Sequence, residues 1–269
     1  MKHAWLIIAH NEFTVLQRLV SLLDDERSDF FIHIDKKVRD LPEIHAEKGR
    51  MFFLNDRIDV RWGAYSQIRT EMALFSAAVE KNEYDYYHII SGTTLPLKSV
   101  DELDAWFSRM AGKCIVTGLC KDDPYQETLK IHRYNLFMRN YASGDARLRK
   151  TSQFLWKSAI ALQRMLGTRI NREGVYFKAS NWVSLTRDAV QYLLSRKNAI
   201  EKTYRHSFCG DEYFVPSELM SSPAFKDRVI NEESYLKHHI GRSNAETLRL
   251  EDFPALQQSN YLFARKFAQ

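Results

Sequence analysis

The chain has 269 residues, of which 45% are hydrophobic, and it carries a formal net charge of +5. This length suits one large α/β domain better than a small module or two full domains. The first apolar run, over residues 4–9, is too short for a signal peptide, and no run approaches the roughly eighteen apolar residues of a membrane-spanning helix. We therefore expect a single catalytic-size domain over residues 1–269 that does not span a membrane.

The three cysteines are an odd number at no metal-ligand spacing, so we expect reduced thiols and a cytoplasmic protein. The basic excess, with a pI near 9.0, suits a phosphorylated ligand, an anionic membrane surface or nucleic acid. No zinc-ligand set, RNP motif or helix-turn-helix pattern is present, which argues against nucleic acid. Peripheral contact with the inner face of the membrane stays open as an alternative.

Apolar periodicity predicts alternating strands and helices along most of the chain. Strands are predicted at residues 4–9, 30–34, 51–54, 86–90, 114–117 and 177–185. Helices are predicted from Glu12, at 66–81, 100–110, 153–166 and 187–194, with a loop at 91–97 and little pattern elsewhere in 121–174. Strand, helix, strand at the start of a chain is typical of a parallel sheet, so the pattern predicts a doubly wound α/β fold.

Polar residues directly follow two of the predicted strands. His10 comes after the first and Asp35 after the second. Ligands of such sheets bind beyond the carboxyl ends of the strands, so these residues and the loop at 91–96 are candidate binding groups. Capping of the strand ends is the alternative for both. The absence of glycine after the first strand argues against a Rossmann dinucleotide site and a Walker A site.

An acidic pair, Asp211-Glu212, precedes an apolar run and predicts the start of a helix. Carboxylates there stabilise the free amides and the helix dipole. One of the two can cap the helix while its neighbour points into a cleft as a general base. We expect Asp211 to cap the helix, and capping alone, with no catalytic role for either acid, is the alternative.

The sequence lacks the Asp-x-Asp at a strand end that metal-dependent sugar transferases of this fold class use to hold a cation against a diphosphate. Arg and Lys side chains can neutralise a diphosphate instead. Late in the chain, Arg242, Arg249, Arg265 and Lys266 are candidates for this role, with surface solubility as the alternative.

Seven segments, in this order, resemble the core-2/I-branching β-1,6-N-acetylglucosaminyltransferases and the related peptide O-xylosyltransferases. They are IIAH at 7–10, HIDKK at 33–37, WGAYS at 62–66, ISGTTLPLK at 90–98, SNWVSLTR at 180–187, DE at 211–212 and LFARKF at 262–267. The resemblance implies a GT-A-like single domain with a mixed, mostly parallel sheet flanked by helices. It also implies an inverting transfer from a UDP-sugar, without a metal or other cofactor.

By position, the resemblance assigns roles to individual residues. His10 and Asp35 are expected to contact the uridine, with Ile8 near the base. Glu212 is expected to be the catalytic base. Lys266 is expected to hold the diphosphate, together with an upstream arginine, Arg242 in preference to Arg249.

The acceptor implied is a glycan or a lipid-linked saccharide, and Arg133, Trp182 and Asp211 are candidate acceptor-side residues. The sequence departs from the family at Thr94-Leu95-Pro96, where Asp-Phe-Pro is usual. It also lacks the anchor, stem and many cysteines of the animal enzymes, so it resembles a bacterial-type catalytic domain alone. GlcNAc is the expected sugar by analogy. UDP-xylose or another UDP-sugar, and a non-catalytic carbohydrate-binding protein, are the alternatives.

Overall fold

A computed structural model describes residues 1–238 and 247–268 of the chain. Its first half comprises β1 (His3–Ala9), α1 (Phe13–Leu23), β2 (Ser28–Ile34), β3 (Arg50–Phe53), α2 (Ser66–Lys81), β4 (Tyr86–Ser91), β5 (Leu95–Pro96), α3 (Val100–Arg109), β6 (Cys114–Val116) and α4 (Pro124–Lys130). Its second half comprises α5 (Ala146–Met165), β7 (Ser184–Thr186), α6 (Arg187–Ser195), α7 (Lys197–Tyr204), α8 (Phe214–Met220), β8 (Val229–Asn231), β9 (Leu236–His238), α9 (Phe253–Gln257) and β10 (Phe263–Arg265). Short 3-10 helices lie at Met138–Asn140, Gly210–Glu212, Lys226–Arg228 and Leu250–Asp252.

The main sheet has the strand order β3-β2-β1-β4-β7-β6-β8. Strands β3, β2, β1 and β4 are parallel to one another, and β8 is parallel to β6. Strand β7 runs antiparallel to both of its neighbours. Helices such as α2 and α6 pack against this mixed, mostly parallel sheet, which confirms the predicted α/β class.

The central strands are continuous apolar runs because the sheet buries both of their faces. Every residue of β2 and β4 is buried, and in β1 only Ile8 is partly exposed. The Asp35 amide donates to the Ala9 carbonyl at 2.9 Å, and the Gly92 amide donates to the Ile8 carbonyl at 2.9 Å. The carboxyl ends of β1, β2 and β4 therefore meet at one edge of the sheet, as predicted.

A second, three-stranded sheet has the order β5-β10-β9 and brings the end of the described chain to that same edge. The Phe267 amide donates to the Thr93 carbonyl at 2.9 Å, and the Leu97 amide donates to the Leu262 carbonyl at 2.7 Å. The predicted loop at 91–97 thus contains a strand, β5. It escaped the periodicity argument because two residues cannot show a period.

Two other predictions of secondary structure were wrong. The expected strand at 177–185 is regular only over Ser184–Thr186, while Lys178 makes an isolated antiparallel bridge to Cys120. Helix α5 begins seven residues before the expected helix, at Ala146, because Asp145 accepts hydrogen bonds from the amides of Arg147 and Leu148 and caps it. Among the described residues, no helix is both long and apolar enough to cross a membrane.

Candidate active site

The first cluster of predicted site residues lies where β1 and β2 end. Asp35 is 4% exposed, and its carboxylate accepts from the Lys37 amide at 2.8 Å and pairs with Lys37 Nζ at 2.6 Å. Lys37 Nζ also contacts the Asp59 carboxylate at 3.1 Å and the Val60 carbonyl at 2.6 Å. Asp35 is therefore held in a fixed orientation at the strand end, with Lys37 beside it.

His10 and Lys266 meet at the same edge. His10 is an exposed residue, but partial burial of its side chain and then the charge of Lys266 lower the pKa of His10 below its usual value. The backbone fixes Lys266, since its carbonyl accepts from the Leu248 amide at 2.7 Å and the next amide donates to the loop after β4. The structure thus brings His10, Asp35 and Lys266 to one edge of the sheet, and their predicted roles in donor binding stay predictions. Burial and the neighbouring Lys266 charge therefore both favour the uncharged form of the His10 imidazole.

Arg265, next to Lys266 in β10, is a largely buried cation. Its guanidinium carbon lies 4.6 Å from the centroid of the Trp182 ring, and its Nε has no hydrogen-bond partner among the described residues. Burial lowers the pKa of Arg265 to about 10. A buried cation without a partner of opposite charge destabilises the fold. Binding of an anionic ligand beside Arg265 would remove this cost, so the position favours such a ligand.

Glu212 lies on the 3-10 turn Gly210–Glu212, where its carbonyl accepts from the Ala179 amide at 2.9 Å. Its side chain is 34% exposed, and its carboxylate lies 3.4 Å from Lys178 Nζ. Burial alone would lower the pKa of Lys178, but the charges of Glu212 and Asp122 outweigh it and raise that pKa. Glu212 is thus a solvent-accessible carboxylate with one neighbouring cation.

Asp211 does not cap a helix, which corrects the sequence prediction. Helix α8 begins at Phe214 and has no side-chain cap. The Asp211 side chain is 6% exposed and accepts from Gln67 Nε2 at 3.0 Å, while its other oxygen has no partner among the described residues. Burial and then the charge of Glu212 raise the pKa of Asp211 to about 7.

Close packing of the turn against α2 explains this orientation. A Cβ on Gly210 would lie 2.0 Å from Ser207 Oγ and 3.2 Å from Ile68 Cδ1, so only glycine fits. Gly63, with φ of +69°, accepts from the Cys209 amide at 2.9 Å and donates to Gln67 Oε1 at 2.6 Å. Gln67 therefore ties the segment at 63 to the Asp211 carboxyl, and the acid is directed into the protein.

Glu71 of α2 is a buried acid that the sequence analysis missed. It is fully buried, with Asp211 and Asn181 as neighbours, and neither carboxyl oxygen has a partner within hydrogen-bond distance among the described residues. Burial and then the charge of Asp211 raise the pKa of Glu71 well above its usual value. The signal was present, since Glu71 shares the helix face of Ile68 and Phe75, three and four residues away.

Trp62 is an exposed aromatic residue close to the segment that leads into the Gly210–Glu212 turn. It is 52% exposed, stacks on Tyr141 with centroids 6.0 Å apart, and contacts the edge of Phe208 at 5.5 Å. Phe208 is followed by Cys209 and the Gly210–Glu212 turn. An exposed aromatic face of this kind is typical of binding sites for ligands with both apolar and polar faces.

The remaining predicted site residues lie elsewhere or outside the described part of the chain. Arg133 is half-buried, donates to the Gln163 carbonyl of α5 at 3.4 Å, and has Arg164 and Arg169 as its charged neighbours. Arg249 is 76% exposed, with Glu251 at 3.7 Å. Arg242 lies outside the described residues, so the choice between it and Arg249 stays a prediction.

A cleft of about 510 Å³ lies beyond the carboxyl ends of β2 and β3. It is lined by Lys36, Asn55, Asp56, Arg57 and Arg69. It shares no residue with the clusters around His10 or Glu212, so its volume does not identify it as the reaction centre. Within residues 1–238 and 247–268, no group of three or more His, Cys, Asp or Glu side chains is arranged to hold a metal ion.

Comparison with known proteins gives matches over nearly the whole chain. Xylosyltransferase 2 from Rattus norvegicus and from Canis lupus familiaris are each 22% identical over 292 residues, covering 98% of this chain. The chain spans about a third of the length of these relatives (32% and 31%). Among solved structures, mouse xyloside xylosyltransferase 1 covers 98% of this chain and 97% of its own at 10% identity, with a TM-score of 0.43, a likeness too weak to carry an argument.

A family model described as "Branch: Core-2/I-Branching enzyme" matches residues 3–247, which is most of the chain. The resemblance drawn from the sequence is confirmed by this match. The chain belongs to the core-2/I-branching enzyme family, and its relatives by sequence are glycosyltransferases.

Proposed function

We propose that the protein is an inverting glycosyltransferase that moves a sugar from a UDP-sugar to a hydroxyl of a glycan or lipid-linked saccharide, without a metal ion. One observation carries the proposal. The segment Asn181-Trp182 connects a cation to the acidic turn: Arg265, whose Nε has no partner among the described residues, stacks on Trp182, and the Glu71–Asp211 pair, next to Glu212 in the chain, lies beside Asn181. This arrangement separates a place for the leaving diphosphate from a place for the base.

On the donor side, Lys266 and Arg265 neutralise the diphosphate. Lysine and arginine can supply the charge stabilisation that a divalent cation gives in other transferases. Asp35, held by Lys37, accepts a hydrogen bond from the uridine, and His10 and Ile8 contact the ribose and base. The short distance between His10 and Lys266 supports this assignment. A nucleoside diphosphate needs a group that contacts the nucleoside and a cation for the phosphates, close enough for one ligand to reach both.

On the acceptor side, Glu212 is the general base. Its carboxylate takes the proton of the acceptor hydroxyl as that oxygen bonds to the anomeric carbon. The bond from that carbon to the diphosphate oxygen breaks at the same time, and UDP leaves with the electron pair towards Lys266 and Arg265. Attack from the face opposite the leaving group inverts the anomeric centre. Trp62, which contacts Phe208 in the segment that leads to the Glu212 turn, provides an aromatic surface for the acceptor sugar.

We propose GlcNAc as the sugar, because the resemblance is to N-acetylglucosaminyltransferases. Xylose is the second candidate, since the relatives Xylosyltransferase 2 from rat and dog match 98% of the chain. Both donors carry the same UDP group, so the machinery proposed for the diphosphate and for the base is shared. To distinguish the candidate donor sugars, we would measure the hydrolysis of UDP-GlcNAc, UDP-xylose and UDP-glucose by the protein, and the binding of each by ligand-observed NMR.

The decisive variant is Glu212→Gln, which keeps the shape of the side chain and removes its basicity. We expect unchanged thermal stability, near-unchanged UDP affinity, and turnover reduced by roughly 10²–10⁴-fold, the range for loss of a general base. Glu43→Gln, at an exposed glutamate, is the matched control and is expected to keep full turnover.

Turnover of Glu212→Gln within a few-fold of the unmodified protein would exclude Glu212 as the base. Binding of UDP with no hydrolysis or transfer from any of the three donors would instead favour the non-catalytic carbohydrate-binding alternative.

A further inference from the structure

Helix α5 presents an unusual outer surface. Its inner face buries Ser152, Trp156, Ile160 and Gln163 against the rest of the protein. The opposite half of the helix carries large apolar side chains that contact solvent. Phe154 is 69% exposed and Met165 is 78% exposed. A soluble helix normally presents polar residues on this side, so these exposed apolar side chains need an explanation.

The exposed apolar residues form a line along the helix. Leu148, Leu155 and Leu162 are each seven residues apart and all are exposed. Seven residues make almost two full turns, so these leucines lie above one another. Leu166, directly after the helix, continues the line, and Phe154 and Met165 widen it.

Cations lie on the other flank of the same outer surface. Lys150 and Lys157 are also seven residues apart and are exposed, and Arg164 follows them at the next helical repeat. At about 100° a residue, Lys157 lies roughly 160° around the helix from Leu155. Among the described residues, neither Lys150 nor Lys157 has an acidic partner. The whole helix contains five Lys or Arg and no Asp or Glu.

A helix with an apolar stripe, a cationic stripe and no acidic residue has the chemistry of a helix that lies in a membrane interface. The leucines and Phe154 would enter the headgroup region, and the lysines would contact anionic headgroups. A second copy of this chain fits less well, because two such helices side by side would bring five cations against five cations without a counter-charge. We propose that the outer face of α5 docks on an anionic lipid bilayer.

The inner face of α5 connects this surface to the candidate active site. Trp156 and Ile160 pack with Phe208, which lies two residues before Gly210 and four before Glu212. On the proposed function, on which this step alone rests, docking through α5 would bring the Glu212 turn close to the bilayer. A lipid-linked saccharide is the acceptor class that such a position favours.

Co-sedimentation of the full chain with vesicles tests the docking surface without any donor or acceptor, so its outcome is independent of the proposed function. We expect binding to vesicles of phosphatidylcholine with phosphatidylglycerol, little binding to phosphatidylcholine alone, and weakening by added salt. Lys150→Ala/Lys157→Ala is expected to bind roughly thirtyfold more weakly, because each interfacial cation is worth about 1 kcal/mol. Phe154→Ser/Leu155→Ser is expected to lose the binding that persists at high salt.

The matched control is Lys197→Ala/Lys202→Ala, which removes the same charge from exposed positions on α7. It is expected to bind nearly as well as the unmodified protein, and thermal shift is expected to show all variants folded because the changed side chains are exposed. Equal binding to neutral vesicles, or equal losses for the α5 and α7 lysine variants, would overturn the proposal. A concentration-dependent dimer that Leu155→Ser abolishes, without binding to vesicles, would assign this face to a second copy.

Discussion

The buried carboxyl of Asp211 leads to a specific dependence of stability on pH. The pKa of Asp211 is raised from 3.8 to about 7, so the folded protein holds a proton that the unfolded chain releases between these values. The stabilisation from this group is therefore complete below about pH 4 and is lost as the pH rises to about 7. Asp211→Asn keeps the shape of the side chain and is neutral at every pH.

The magnitude follows from the size of the shift. When the pH rises from about 5 to 8, the proton on Asp211 ceases to stabilise the folded unmodified protein over about two pH units, up to its pKa. This lowers the free energy of unfolding by about 3 kcal/mol. Asp211→Asn does not lose this stabilisation, because its side chain does not titrate. In a domain of this size about 1 kcal/mol moves Tm by roughly 2–4 °C, so the variant is expected to gain roughly 5–10 °C relative to the unmodified protein between the two pH values.

Differential scanning fluorimetry of both proteins at the two pH values measures this gain directly. Asp40→Asn, at an exposed aspartate, is the control and is expected to show no such gain. Subtracting the unmodified protein at each pH removes the contributions of the titrating groups that do not interact with Asp211. A gain of zero, or a loss, would show that Asp211 is ionised throughout this range and would refute the explanation given for its position.

The remaining predictions concern the donor side. Lys266→Ala is expected to lower the affinity for UDP by about ten- to a hundredfold in calorimetry and to leave the affinity for uridine nearly unchanged, since a charge-assisted hydrogen bond is worth roughly 1.5–3 kcal/mol. Equal losses of affinity for the two ligands would mean that Lys266 acts through folding. Asp35→Ala is expected to lower the affinity for UDP and for uridine equally. If thermal shift shows this variant to be unfolded, the ion pair of Asp35 with Lys37 serves stability and not binding. Turnover is expected to survive EDTA, and activity that returns only with Mn²⁺ would contradict the metal-free proposal.

Much of the sheet could be predicted because buried parallel strands leave a simple trace in the sequence. The apolar runs at 4–9 and 30–34 fall within β1 and β2, and the polar residues directly after them lie at the shared edge. This edge depends only on local chain direction and parallel pairing. His10 and Asp35 were therefore placed correctly by the sequence alone, although their roles stay proposals.

Features that depend on tertiary packing could not be predicted. Strand β7 is inserted antiparallel between β4 and β6, and nothing in its three residues encodes that direction. The burial of Asp211 depends on the close packing of Gly210 against Ser207 and α2. Gly210 and Ser207 are close to Asp211 in the sequence, but the turn meets α2 only in the folded chain. The capping rule was sound for an exposed helix start, and it failed because tight packing turned this acid inward.

The place of β10 between β5 and β9 has a consequence for the kinetics of folding. It brings Lys266 to His10, so the proposed donor site is built from segments near opposite ends of the described chain. Contacts of such long sequence separation form late, because a long loop must close before they gain any energy. During synthesis β1, β2 and β4 emerge and can pair long before β10 exists. A nascent chain at that stage has the edge of the sheet with Asp35 and Lys37 but has neither Arg265 nor Lys266, so the step that completes the fold is also the step that would create the proposed affinity for the diphosphate.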